Sequence, residues 1–167
     1  KQDVLPDLPP ITHNTITTQM APKHRKEYNH ALNDLKDWYT QQQEQLAHQH
    51  GTNPSAAAIR AHYAAQNYET LIQLTALRKI TATAKLTHAI EWVQNANDQG
   101  HKIVIAAHHR DIVQTIANET GGLKIIGGQN PKETETAKHK FTTDPKHMNI
   151  TISITAAAHG HTLNAAH

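Results

Sequence analysis

The chain has 167 residues, a formal charge of +2 and no cysteine, which is one domain's worth of sequence and excludes both a disulfide framework and thiolate metal sites. Leu, Ile, Val and Phe make up 31 residues, just under a fifth; a disordered chain of that apolar content normally carries a high net charge as well, so a folded domain with a thin core is expected. No apolar run reaches bilayer-spanning length and no signal-peptide pattern opens the sequence, so the expectation is a soluble, intracellular protein with no membrane partner.

Residues 1–20 read as an extended connector, because Pro6, Pro9 and Pro10 fix their own φ and push the preceding residues out of helical space. A helical pattern then runs from Pro22 to about His48, with Tyr28, Leu32, Leu35 and Leu46 at three- and four-residue steps. Gly51, Asn53 and Pro54 break it. A second helix is expected from about Asn53 to Asn67, capped by Ser55 or Asn53. Leu71, Ile72, Leu74, Leu77 and Ile80 predict a third. A fourth runs from Thr83 to Asp98 and buries Leu86, Ala89, Ile90, Val93 and Trp92, with Gly100 as its stop.

The period changes after Gly100. KIVIAA (102–107) is a compact β-branched run expected to be buried on both faces. Ile112, Val113, Ile116 and Ala117 mark the next helix, stopped by Gly121 and Gly122. LKII (123–126) is a second strand, Pro131 to Phe141 a helix opened by proline, and NITISI (149–154) a third strand. Two helical crossovers between three strands predict a parallel α/β sheet with right-handed connections. The division expected is a connector at 1–20, a helical segment at 21–82 and an α/β lobe at 83–167.

In parallel α/β sheets, ligands lie against the loops that follow the strand C-termini. Three loops qualify here: His108-His109-Arg110, Gly128-Gln129-Asn130, and the stretch from Thr155 and Ala156 to Gly160 and Thr162. Arginine offers a bidentate fork and a helix start offers free N–H groups, both suited to phosphate. Gly128 permits close approach of the backbone. Residues 71–167 carry ten basic and seven acidic side chains, an excess compatible with phosphate contact but too weak to establish it.

Other chemistries fare worse. No GxxxxGK[ST] loop, paired acidic motif or G-x-G-x-x-G fingerprint occurs, which argues against a self-sufficient nucleotide hydrolase. The 15 histidines include the pairs His48/His50, His108/His109 and His159/His161, but none has HExxH spacing; capping or solvated roles are favoured, and no metal site is expected. Ser55 and Ser153 are the serines, neither in a GxSxG elbow. No catalytic residue is assigned.

LTALRKITATAKLTHAIEWV (74–93) followed by GHKIVIAAHHRDIV (100–113) closely resembles the second RecA-like lobe of SWI/SNF-like superfamily-two helicases, especially bacterial and phage forms. DVLPDLPP (3–10) resembles the connector leaving the first lobe of that family, GGQNPKETETAKHKFTTDP (127–145) its segment ending in Phe-x-x-Asp-Pro, and ITAAAHGHTLNAA (154–166) its motif V. The resemblance implies a RecA-like helicase C-terminal lobe preceded by a helical subdomain. It further implies a DNA-dependent ATPase acting on duplex DNA, with ATP and Mg in the intact motor and none bound to this chain alone. The partners implied are the DNA backbone and a missing first lobe, in the same polypeptide, and motif VI would lie beyond His167. Thr134 stands where the family usually has arginine, Gly127 where an acidic or amide residue is common, Ala158 where a glycine is expected and His161 where an apolar residue is usual. Those departures favour the alternative, a non-catalytic nucleic-acid or protein binding module that has kept the fold.

Overall fold

The computed structural model describes residues 12–51, 55–65, 67–157 and 163. Residues 12–21 form no helix or strand, and Ile16 is exposed. Three helices follow: α1 (Pro22–His50), α2 (Ala56–Ala65) and α3 (Asn67–Asp98). Pro22 opens α1, where its missing N–H costs nothing, and Ser55 Oγ accepts from Ala58 N at 3.2 Å to start α2. Asn53, the other cap considered, lies outside the described residues. α1 packs along α3, burying Leu46 and Leu77, and Trp38 Nε1 donates to Glu69 Oε2 at 2.9 Å.

The third and fourth helices read from the sequence are a single helix, α3. No glycine or proline interrupts residues 80–84, and the threonines there turn inward on their own helix. Thr81 Oγ1 donates to Leu77 O at 2.6 Å and Thr83 Oγ1 to Lys79 O at 2.9 Å, so neither hydroxyl competes with the helical ladder. Trp92, expected to be buried, is 50% exposed.

The lobe then alternates β1 (Ile103–Ala107), α4 (Arg110–Thr120), β2 (Leu123–Ile125), α5 (Pro131–Thr143), β3 (Asn149–Ser153) and the single turn α6 (Ile154–Ala157). The sheet has the order β1-β3-β2 and is parallel throughout. Its register aligns Ile103 with Asn149 and Leu123 with Ile150. Alternation along each strand therefore places Val104, Ala106, Leu123, Ile125, Ile150 and Ile152 on one face. α5 covers that face with Ala137 and the fully buried Phe141. On the other face α3 packs Val93 and Ala96 against Ile103 and Ile105, and α4 buries Ile112, Val113, Ile116 and Ala117.

The sheet order corrects one expectation. β1 is not buried on both faces: it is an edge strand, and Val104 is 39% exposed. The doubly buried strand is β3, whose five residues are all inaccessible. The α5 face of β3 is isoleucine, whereas its α4 face is polar: Asn149, Thr151 and Ser153. Thr151 Oγ1 has no hydrogen-bond partner there, which costs on the order of 1–3 kcal/mol.

Asn149 is better served. Its Oδ1 accepts from Thr120 Oγ1 at 3.0 Å and its Nδ2 donates to Thr120 O at 3.5 Å. Gly121 closes α4 in the left-handed region at φ 63°, and Gly122 N donates to Ala117 O at 2.9 Å. A Cβ on Gly122 would overlap the Asn149 amide, so this glycine lets β2 come up beside β3. At the far end of α5, Lys102 Nζ donates to Phe141 O at 2.5 Å and Asp144 O at 3.0 Å while lying over the Phe141 ring. That ammonium satisfies carbonyls the helix cannot.

Candidate functional site

Because all three strands run the same way, the turns after β1, β2 and β3 leave from one edge of the sheet. Two of them come close: a Cβ built on Gly127 would lie 3.9 Å from Thr155 Oγ1. The sequence-predicted residues His108, His109, Arg110, Gly128, Gln129, Asn130, Thr155 and Ala156 all lie on this rim. Gly160 and Thr162 are outside the described residues, as are Ala158, His159 and His161.

The β1–α4 turn carries the charge. His108 and Arg110 are exposed and His109 half-buried, the two imidazoles meeting edge-on with centroids 5.0 Å apart. His109 is the N-cap of α4 in extended conformation and makes no side-chain capping bond. The N–H groups of the first turn therefore have no side-chain acceptor from the cap, the condition in which a helix start favours an anion. Burial, followed by the charges of His108, Lys79 and Arg78, holds the His109 imidazole below the ordinary histidine value. Its Nε2 is buried with no hydrogen-bond partner.

The β2–α5 turn behaves differently. Gly128 has φ 78°, with open space around its Cβ position; backbone conformation, rather than close approach of another group, is what requires glycine there. Gln129 Oε1 accepts from Ile126 N at 3.2 Å, and Asn130 Oδ1 accepts from Lys132 N at 2.9 Å as the N-cap of α5. Both amides hold their own turn and helix, so these two predicted contact residues act first as builders of the rim. In the β3 turn, Thr155 Oγ1 shares a 2.7 Å hydrogen bond with Ser153 Oγ. Ala156 packs down onto the Ile125–Phe141 core, as does Leu163.

Arg78 and Lys79 on α3 were not singled out from the sequence. Lys79 pairs with Asp111 in the first turn of α4, and Arg78 lines a groove of about 340 Å³ together with Lys85, His108 and His109. Adjacent basic residues on a helix are ordinary in sequence; only the packing of α3 against α4 brings them to the rim. Among the described residues, no group of three or more His, Asp or Glu side chains is arranged to hold a metal ion, and no helix is long and apolar enough to cross a membrane. Ser153 is buried in the sheet, and Ser55 caps α2.

No family profile matches the chain. Over 122 residues it is 28% identical to the protein named SWI/SNF-related matrix-associated actin-dependent regulator of chromatin subfamily A-like protein 1 of Xenopus tropicalis, a match covering 67% of this chain and 13% of that protein. The Xenopus laevis protein of the same name matches to the same extent. Among solved structures, the C-terminal domain of the Sulfolobus solfataricus SWI2/SNF2 ATPase superposes with a TM-score of 0.60 at 18% identity, over 88% of this chain and 65% of that domain. The core domain of that ATPase superposes with a TM-score of 0.63 at 18% identity, over 89% of this chain and 31% of that one. The fold is that of the RecA-like C-terminal domain of a SWI2/SNF2 ATPase, a parallel sheet flanked by helices.

Proposed function

We propose that this chain is the second motor lobe of a DNA-dependent ATPase that moves along duplex DNA. The observation that carries the reading is the rim itself: three parallel strands deliver their C-terminal turns to one edge, with Gly127 near Thr155. Arg110, His108 and the open first turn of α4 supply groups suited to phosphate oxygens. Such contacts give affinity rather than sequence choice, as suits a motor that tracks a backbone.

On this reading the rim is not a magnesium–nucleotide site by itself. The carboxylate beside the β1 turn, Asp111, is already paired with Lys79, and among the described residues no group of three or more His, Asp or Glu side chains is arranged to hold a metal ion. The nucleotide loop and the acidic metal-binding motif would come from a first lobe, in the same polypeptide, and hydrolysis would be a property of the two lobes together. The chain alone should bind duplex DNA in a strongly salt-dependent way and turn over no ATP. DNA-stimulated ATP hydrolysis is to be measured on the protein carrying both lobes, with and without Arg110→Ala. A stimulated rate that falls in the variant supports the motor; appreciable turnover by this chain alone contradicts it.

The second reading, a binding module without motor activity, is favoured by Gln129 and Asn130, whose amides are engaged in holding their own turn. It predicts duplex or protein binding with no stimulation of hydrolysis in the two-lobe protein.

A further inference from the structure

The groove between α3 and the start of α4 is lined from two independent elements. From α3 come Arg78 and Lys85, and from the β1–α4 turn come His108 and His109. Lys79, next to Arg78, reaches across to Asp111 on α4. Arg110 is exposed at the start of α4, next to His109, and neither it nor Arg78 forms an ion pair with an acidic group among the described residues. Positive charge from a helix and from a sheet turn thus converges on one corner, with Asp111 the acidic group set against it. Burial first, and then the charges of His108, Lys79 and Arg78, hold His109 below its ordinary value, as the closeness of α3 to this turn requires.

We propose that Arg78 and Lys79 form, with His108 and Arg110, a phosphate-binding corner that grips the nucleic-acid backbone from the helical segment as well as from the sheet. The inference rests on the duplex-binding reading above and extends the contact surface to α3. The ligand is the phosphodiester backbone. Asp111 competes with it for Lys79, so backbone binding exchanges the Asp111 carboxylate for a phosphate oxygen at that ammonium. No covalent change is involved.

A lysine or arginine that touches backbone phosphate contributes about 0.9 to the slope of log affinity against log salt. The experiment is a titration of a short DNA duplex into the chain between roughly 50 and 200 mM salt, with folding of every variant checked by circular dichroism. Arg78→Gln should weaken binding by about threefold to tenfold at the middle of that range and flatten the slope by about one. Asp111→Asn should do the opposite and tighten binding, because it releases Lys79. A gain of affinity cannot come from misfolding, so this arm stands even where Arg78→Gln is destabilising.

If the Lys79–Asp111 pair merely ties α3 to α4, Asp111→Asn leaves affinity unchanged and the proposal fails. If Arg110→Ala weakens binding while Arg78→Gln alters neither affinity nor slope, the motor reading stands and this inference is overturned. A wild-type chain that binds no duplex overturns both. Tripolyphosphate as a second probe separates the two sources of phosphate: an Arg78→Gln effect on tripolyphosphate without one on duplex assigns the corner to free nucleotide and refutes the backbone assignment.

Discussion

Gly122→Ala is expected to be among the most damaging single methyl additions in the lobe, and the reason is steric rather than conformational. Its Cβ would overlap the Asn149 amide, with Asn149 O also only 3.1 Å away. The backbone carbonyl belongs to the central strand and cannot retreat, so the amide must rotate. Asn149 is 2% exposed, and rotation gives up the Thr120 hydroxyl at 3.0 Å and the Thr120 carbonyl at 3.5 Å. Leaving a buried polar group unsatisfied costs about 1–3 kcal/mol, and forcing an extra methyl into a packed site costs about 1–3 kcal/mol. The expected loss is therefore about 2–6 kcal/mol, a large share of the roughly 5–15 kcal/mol that holds a domain of this size. Gly121→Ala is the internal reference: Gly121 has φ 63° and nothing within 4 Å of its Cβ position, so only the left-handed backbone penalty of about 1–2 kcal/mol applies. Urea unfolding followed by circular dichroism gives both values, the midpoint moving at constant m. The decisive measurement is the cycle with Asn149→Ala, which removes the obstructing amide. In that background Gly122→Ala should cost at least about 1.5 kcal/mol less than in the wild type. Additivity within about 0.5 kcal/mol would refute the steric argument.

Lys102→Met keeps the aliphatic stem over Phe141 and removes the donor to Phe141 O and Asp144 O; a loss of about 1–2 kcal/mol is expected in urea unfolding, and an unchanged midpoint would show that solvent serves those carbonyls equally well. Phe141→Ala should cost about 3–5 kcal/mol, since Phe141 is fully buried between α5 and the sheet, whereas Ile16→Ala at an exposed position should cost close to nothing. The pH dependence follows from His109. Its folded pKa lies below the unfolded value of 6.5, so the unfolded chain takes up the proton first and stability rises with pH. The contribution is complete above 6.5 and is lost as pH falls through the lowered value; His109→Gln should flatten that part of the stability–pH curve, and a curve unaltered by the substitution would count against the burial of this imidazole.

Elements whose signal is local were legible in the sequence. The three strands, α4 and α5 were placed to within two residues of their ends, because β-branched runs, Gly121 and Pro131 mark them directly. What escaped was set by tertiary pairing. KIVIAA is as apolar as any central strand, yet the order β1-β3-β2 leaves it at the edge, and the more polar NITIS takes the middle. Trp92 sits on a helical stripe that looks internal, but it is half exposed. The fusion of two expected helices into α3 reflects the absence of any strong breaker, a weaker signal than the change of hydrophobic residues on either side of it.

For the rim, residue type and position were readable but allegiance was not. Asn130 and Gln129 are polar, follow a strand and lie at a helix start, which describes a phosphate ligand and a loop-builder equally well. The geometry separates the two roles, because a side-chain oxygen that already accepts a backbone N–H at 2.9 or 3.2 Å has to surrender that bond to serve a ligand. Arg110 and His108 carry no such debt, and Arg78 reaches the same corner from a helix whose sequence gives no hint of it. On the proposed reading, the β1 end of the rim, where Arg78, His108 and Arg110 lie, is the main cationic contact, while the amides of the β2 turn shape the edge. A backbone lying along the edge would be gripped at one end, where α3 and α4 meet, and merely bordered at the other. If the proposed reading holds, binding should be most sensitive to substitutions at the α3–α4 corner, and the Gly128 turn should matter chiefly through folding.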